Sequence, residues 1–141
     1  WGQIIIKSGS DVTAPDLRVL VGEDVMLADF RLCIGPEVLM ADFTVGITDK
    51  KSKAHFIVTE SLTNDLRVRA GDSVTLADIR IQAGDSVTLS DVRVKIKTIG
   101  AVDYLVCIDK ETASISDLVV ALLPAINKKL GYKLEGVPRV E

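Results

Sequence analysis

The sequence predicts a mainly β fold: an antiparallel β-meander closed as a barrel or sandwich, built from a duplicated unit and followed by a C-terminal helix. Three observations predict it. A thirteen-residue unit recurs, apolar residues alternate inside it, and a longer offset of 49 residues relates two stretches of the chain. From Asp16 the chain reads DLRVLVGEDVMLA, then DFRLCIGPEVLMA from Asp29 and DFTVGI from Asp42. After an irregular stretch it resumes as DLRVRAGDSVTLA from Asp65, DIRIQAGDSVTLS from Asp78 and DVRVKI from Asp91. Residues 16–60 thereby align with 65–109, and HFIVTE at His55 falls on YLVCID at Tyr104.

Numbered from its Asp, the unit is apolar at positions 2, 4 and 6, as in Leu66, Val68 and Ala70 or Ile79, Ile81 and Ala83. Alternation at a period of two marks a strand with one buried face. Val19, Leu32, Val45, Val58, Val68, Ile81 and Val94 share position 4 and are expected to face inward. Positions 10 and 12 are apolar as well, as in Val74 and Leu76 or Val87 and Leu89, which suggests a second strand per unit whose position 12 is in phase with position 2 on the buried face. Gly71-Asp72-Ser73 and Gly84-Asp85-Ser86 read as turns on glycine's freedom at positive φ. Ala77-Asp78 and Ser90-Asp91 read as tight connections.

A β-solenoid with one unit per coil is the alternative architecture. It would stack the arginines at position 3 (Arg18, Arg31, Arg67, Arg80 and Arg93) about 4.8 Å apart. Like charges directly opposite one another are destabilising. A meander separates them, and that favours the meander.

The first strand, Gln3 to Lys7, either pairs within the chain or is donated to a neighbour. Residues 48–64 interrupt the pattern, and Lys50, Lys51 and Lys53 fit a solvated tip there. Phe30, Phe43 and Phe56 all occupy position 2 and read as core. Beyond the strand Val102 to Ile108, Ser116-Asp117 is a helix-start signal. The stripe Leu118, Val119, Leu122, Leu123, Ile126 and Leu130 follows, with Gly131 as a stop and Pro124 as a kink or break. The whole chain, 1–141, is expected to be a single domain, with 110–141 as a helical cap and tail.

The two halves differ on their second face. Leu20, Met26, Cys33 and Leu39 make it apolar in the first half, which implies a cover: the C-terminal helix or a neighbouring subunit. In the second half Arg67, Arg69, Arg80, Arg93, Lys95 and Lys97 make it basic, a candidate binding face. Arg holds phosphate, sulfate or carboxylate in a bidentate fork.

No catalytic residue is assigned. GxSxG, HExxH, CxxC, Walker and GxGxxG patterns are absent. The one histidine, His55, stands where other units carry Asp, and reads as a turn residue. Cys33 and Cys107 are too few for a disulfide framework and read as small buried hydrophobes. The Asp ladder (Asp16, Asp29, Asp42, Asp65, Asp78 and Asp91) invites calcium, but it lacks dense acidic loops and suits tight turns. No metal or cofactor is expected.

The net charge of −3 argues against a generally basic nucleic-acid binder. No apolar run approaches the roughly 20 residues of a membrane-spanning helix. The leading expectation is therefore non-enzymatic: a structural or self-assembling subunit of a filament, virion or surface layer, contacting copies of itself or neighbouring subunits. An extracellular or virion setting would suit it. The alternative is a module that binds an anionic polymer or ligand through the basic face.

Overall fold

A computed structural model describes residues 2–61 and 63–140. Trp1 lies outside them. Among the described residues nine strands form: β1 Ile4–Gly9, β2 Leu17–Gly22, β3 Phe30–Gly35, β4 Phe43–Ile47, β5 Phe56–Thr59, β6 Leu66–Gly71, β7 Ile79–Gly84, β8 Val92–Ile96 and β9 Tyr104–Asp109. β1 precedes the first unit, and β2 to β9 each fall within the alternating stretch at positions 2 to 7, where β-branched and aliphatic residues project to one side. Positions 10 to 12 form no strand. A unit therefore holds one strand and a connection, where two strands were expected.

The strands close into a barrel in the order β1-β5-β9-β4-β8-β3-β7-β2-β6, and every pairing is parallel. The barrel and the mainly β class match expectation, whereas the antiparallel meander does not. The stagger of the strands explains why. Ile81 of β7 pairs with Val21 near the end of β2 on one side, and with Phe30 at the start of β3 on the other. The end of β2 is thus already level with the start of β3. Parallel strands normally need a dozen or more residues to return to the same end. Here the connection, residues 23–29, only has to step sideways across one strand.

Consecutive strands are consequently never neighbours. β1 to β5 make one circuit of the barrel, and β6 to β9 fill the gaps in a second. The connections lie outside the strands they cross. Arg80 and Gln82, on the outer face of β7, donate to the Met26 and Glu23 carbonyls above them. Arg93 of β8 donates to Leu39, Arg67 and Arg69 of β6 to Thr13 and Val12. In the other sense, the Cys33 thiol of β3 reaches the Asp85 carbonyl of a second-circuit connection. Each circuit overlies the other, so the chain is braided around the barrel.

Two glycines permit this close layering. A Cβ on Gly35 would lie 2.9 Å from the Asp85 side chain, and one on Gly46 would lie 3.0 Å from Leu105, with Val102 also close.

The central residue of each strand forms one inner ring: Ile6, Val19, Leu32, Val45, Val58, Val68, Ile81, Val94 and Val106, all without exposed surface. The seven position-4 residues are among them. Phe30, Phe43 and Phe56 are buried in the same core.

The stagger runs in one sense around the ring, which tilts the strands and widens the lumen. That space holds the C-terminal helices, α1 Ile115–Ala121 and α2 Leu123–Lys129. Ser114 caps α1 in a capping box with Asp117, and Pro124 sits in the first turn of α2, where its missing N–H costs nothing. Val119 to Leu123 are buried on every side, as a helix enclosed by apolar walls requires. The expected helix exists, but it fills the barrel and does not cover the outer face. β1 pairs at home with β5 and β6, so it is not a free strand for a neighbour.

Candidate interaction surface

The connections carry the Asp ladder, and its role is structural. The backbone N–H of Asp78 donates to the Arg18 carbonyl, while its carboxylate accepts from the Arg18 N–H at 2.8 Å. Asp16 brackets Arg67 in the same way, Asp29 brackets Arg80, Asp42 Arg93, Asp65 Ile5, Asp91 Arg31 and Asp103 Thr44. Each carboxylate satisfies an N–H on the adjoining strand, where the stagger leaves the ladder incomplete. His55 performs this duty at β5: its Nδ1 accepts from the Leu105 N–H at 2.9 Å. Among the described residues, no group of three His, Cys, Asp or Glu is placed to hold a metal.

The six basic residues do not project freely from the barrel. Arg67, Arg69, Arg80 and Arg93 lie half-buried beneath the connections, with donors engaged by the carbonyls of Thr13, Val12, Met26 and Leu39. Lys97 donates to the Ala101 carbonyl. Lys95 is half-buried beside them on β8. The structure spreads these residues over β6, β7 and β8 and the chain just after β8.

Of the apolar second-face residues, Leu20 is half-buried on β2, and Cys33 is buried beneath the Asp85 connection. Met26 and Leu39 stand outside, 77% and 72% exposed. Position 12 is more exposed still: Leu27, Met40, Leu76 and Leu89 range from 87% to 93%. All four adopt positive φ, between 51° and 55°. The expected left-handed glycines at Gly71 and Gly84 do not occur; Leu76 and Leu89 take that conformation instead. For a bulky L-residue it costs roughly 1–2 kcal/mol.

The barrel order gathers these side chains. The connection bearing Leu76 crosses β2, that of Met26 and Leu27 crosses β7, that of Leu89 crosses β3, and that of Leu39 and Met40 crosses β8. β2, β7, β3 and β8 are successive strands of the ring. Sites thirteen or 49 residues apart in sequence thus form one apolar arc on one side of the barrel. Acids edge it: Glu23, Asp24, Glu37, Asp72 and Asp85 where the connections begin, and Asp29, Asp42, Asp78 and Asp91 where they end. Sequence reasoning placed position 12 in the core, and missed the arc because nothing marks these residues as left-handed.

Two other regions hold polar chemistry. Where the strands end, a cavity of about 1250 Å³ opens over the start of α1, with Val21, Ile34, Ala70 and Ala83 in its wall. Buried Asp117 accepts there from the Ser8 hydroxyl and from Lys110 Nζ, at 3.0 and 2.9 Å. Every buried polar side-chain atom among the described residues has a partner, so this cluster reads as an anchor for α1.

Four strands round the ring from β7, the connection 48–55 crosses β9. Its 3₁₀ turn, Lys51–Lys53, is exposed, and Lys51 pairs with Asp109 at 2.6 Å. That hydrogen bond raises the lysine pKa. Beneath it Cys107 packs with Ala54, Ile57 and Ile5. Burial, reinforced by Asp109, pushes its thiol up and keeps it protonated. Both cysteines are free and buried.

Among the described residues no helix is long and apolar enough to cross a membrane. No protein-family model, curated protein or solved structure matches this chain.

Proposed function

We propose that the protein is a non-enzymatic structural subunit that assembles with neighbouring subunits through the apolar arc. One observation carries this reading: Leu27, Met40, Leu76 and Leu89 are at once strained and exposed. Neither property helps the barrel fold. A left-handed site on the surface favours Gly, Asn or Asp, and exposed leucine gains nothing from burial there. Apolar side chains kept in such places serve a contact made outside the chain.

The test is a fourfold variant, Leu27→Asn, Met40→Asn, Leu76→Asn and Leu89→Asn, compared with the parent by analytical ultracentrifugation over a range of concentrations. The parent's average mass should rise with concentration, and the variant should stay monomeric with an equal or higher Tm. A parent that remains monomeric at its highest concentration defeats the proposal. The alternative, an anionic polymer held by Arg67, Arg69, Arg80, Arg93, Lys95 and Lys97, has less support because most of those donors are engaged by carbonyls. Tight, salt-sensitive retention of a monomeric parent on heparin would favour it.

A further inference from the structure

We infer that the contact is made with a second copy of this chain, head to tail, and that it propagates as an open filament. This rests on the assembly reading above and adds the partner's identity and orientation.

Charge and ring position carry the inference. One of the two inner connections of the arc, residues 23–29, reads EDVMLAD, with three acids and no base. It lies over β7. The connection 48–55 reads TDKKSKAH, with three lysines and one acid. It lies over β9, tied there by His55 to Leu105 and by Lys51 to Asp109. Counted around the ring, β7 is four strands from β9 in one direction and five in the other, as far apart as nine strands allow. The barrel therefore carries its acidic, apolar connection and its lysine connection on opposite sides.

A two-fold contact would set arc against arc and bring the flanking acids of both copies together. A head-to-tail contact instead places Glu23 and Asp24 of one copy near Lys50 and Lys53 of the next. Ile47, half exposed where the lysine connection begins, and the lysine stems would meet Met26 and Leu27. Because the two surfaces differ and lie on opposite sides, each copy leaves one of each free. Repetition then extends a line and does not close a ring.

Two charge-reversed variants test this, one with Glu23→Lys and Asp24→Lys, the other with Lys50→Glu and Lys53→Glu. All four side chains are exposed, and none of them makes an ion pair with another described residue, so both variants should fold like the parent by circular dichroism. Sedimentation and electron microscopy of the parent should show filaments that shorten as salt is raised. Each variant alone should lose assembly at least tenfold, because its two opposite faces now carry like charge. An equimolar mixture should recover part of it, since the two kinds of reversed face complement each other.

Assembly of each variant alone at the parent's level would overturn the head-to-tail contact, and so would a parent that stops at a closed dimer. If the fourfold asparagine variant dissolves the assemblies while charge reversal leaves them intact, the arc functions with a different geometry. If the parent never assembles, both readings fall.

Discussion

Leu32 and Met40 belong to one thirteen-residue unit, and their fates are opposite. Leu32 lies in the inner ring with no exposed surface, whereas Met40 is 93% exposed with φ at 52°. Both are large, apolar and in phase with an alternating pattern. Hydrophobicity therefore fixed the inner face of each strand, but it carried no information about which side of the barrel a connection would follow. The lesson is that an apolar residue outside a strand needs a separate explanation. In this chain the same kind of side chain holds the barrel together at position 4 and presents a surface at position 12.

The contrast breaks most easily by placing a charge at each kind of position. Ile81→Asp should prevent folding, because an unpaired carboxylate in the ring costs several kcal/mol. Leu89→Asp should give soluble protein with the parent's thermal transition. Equal damage from both would mean that the connections are buried after all.

A smaller effect separates the aspartates. Asp78→Ala removes the carboxylate that accepts from the Arg18 N–H and should cost about 1 kcal/mol in urea unfolding. Asp72→Ala, whose carboxylate accepts from the neighbouring Ser73 hydroxyl and from no strand N–H among the described residues, should fall within about 0.5 kcal/mol of the parent. Matching costs would show that the bracket contributes nothing beyond turn preference. The smallest effect has the opposite sign. Leu76→Asn should stabilise the monomer by a few tenths to about 1 kcal/mol by relieving left-handed strain; a loss of stability would show that the leucine packs against its own barrel.

The inner ring and the phenylalanine core were legible because alternation is local, whereas the start signal at Ser116-Asp117 fell two residues late, since the cap is Ser114 and Asp117 completes its capping box. Strand direction was not legible. A seven-residue connection such as 23–29 ordinarily joins antiparallel strands, and only the stagger that sets Val21 level with Phe30 makes a parallel one reachable. Stagger is a relation between distant segments, so no single unit encodes it visibly. The position-3 arginines misled for the same reason. The concern was mutual repulsion, whereas Arg67, Arg80 and Arg93 each clamp the connection that lies over their strand. The candidate surface was half visible: Met26 and Leu39 stood out on the second face, but position 12, with Leu76 and Leu89, read as a strand's buried face, and Leu27 and Met40 share that position.

The braid has a consequence for synthesis. Every strand pairing joins residues 50 to 60 apart, because the neighbours of β2, β3 and β4 all come from the second circuit. When a ribosome has released the first half of the chain, β2, β3 and β4 have no partners, and their apolar faces wait in water. Long loops must close before any ladder forms, which predicts slow folding and a nascent chain in need of a chaperone. It also means that residues 16–60 expressed alone should remain unstructured, however closely their sequence matches 65–109. Neither half is a miniature of the whole.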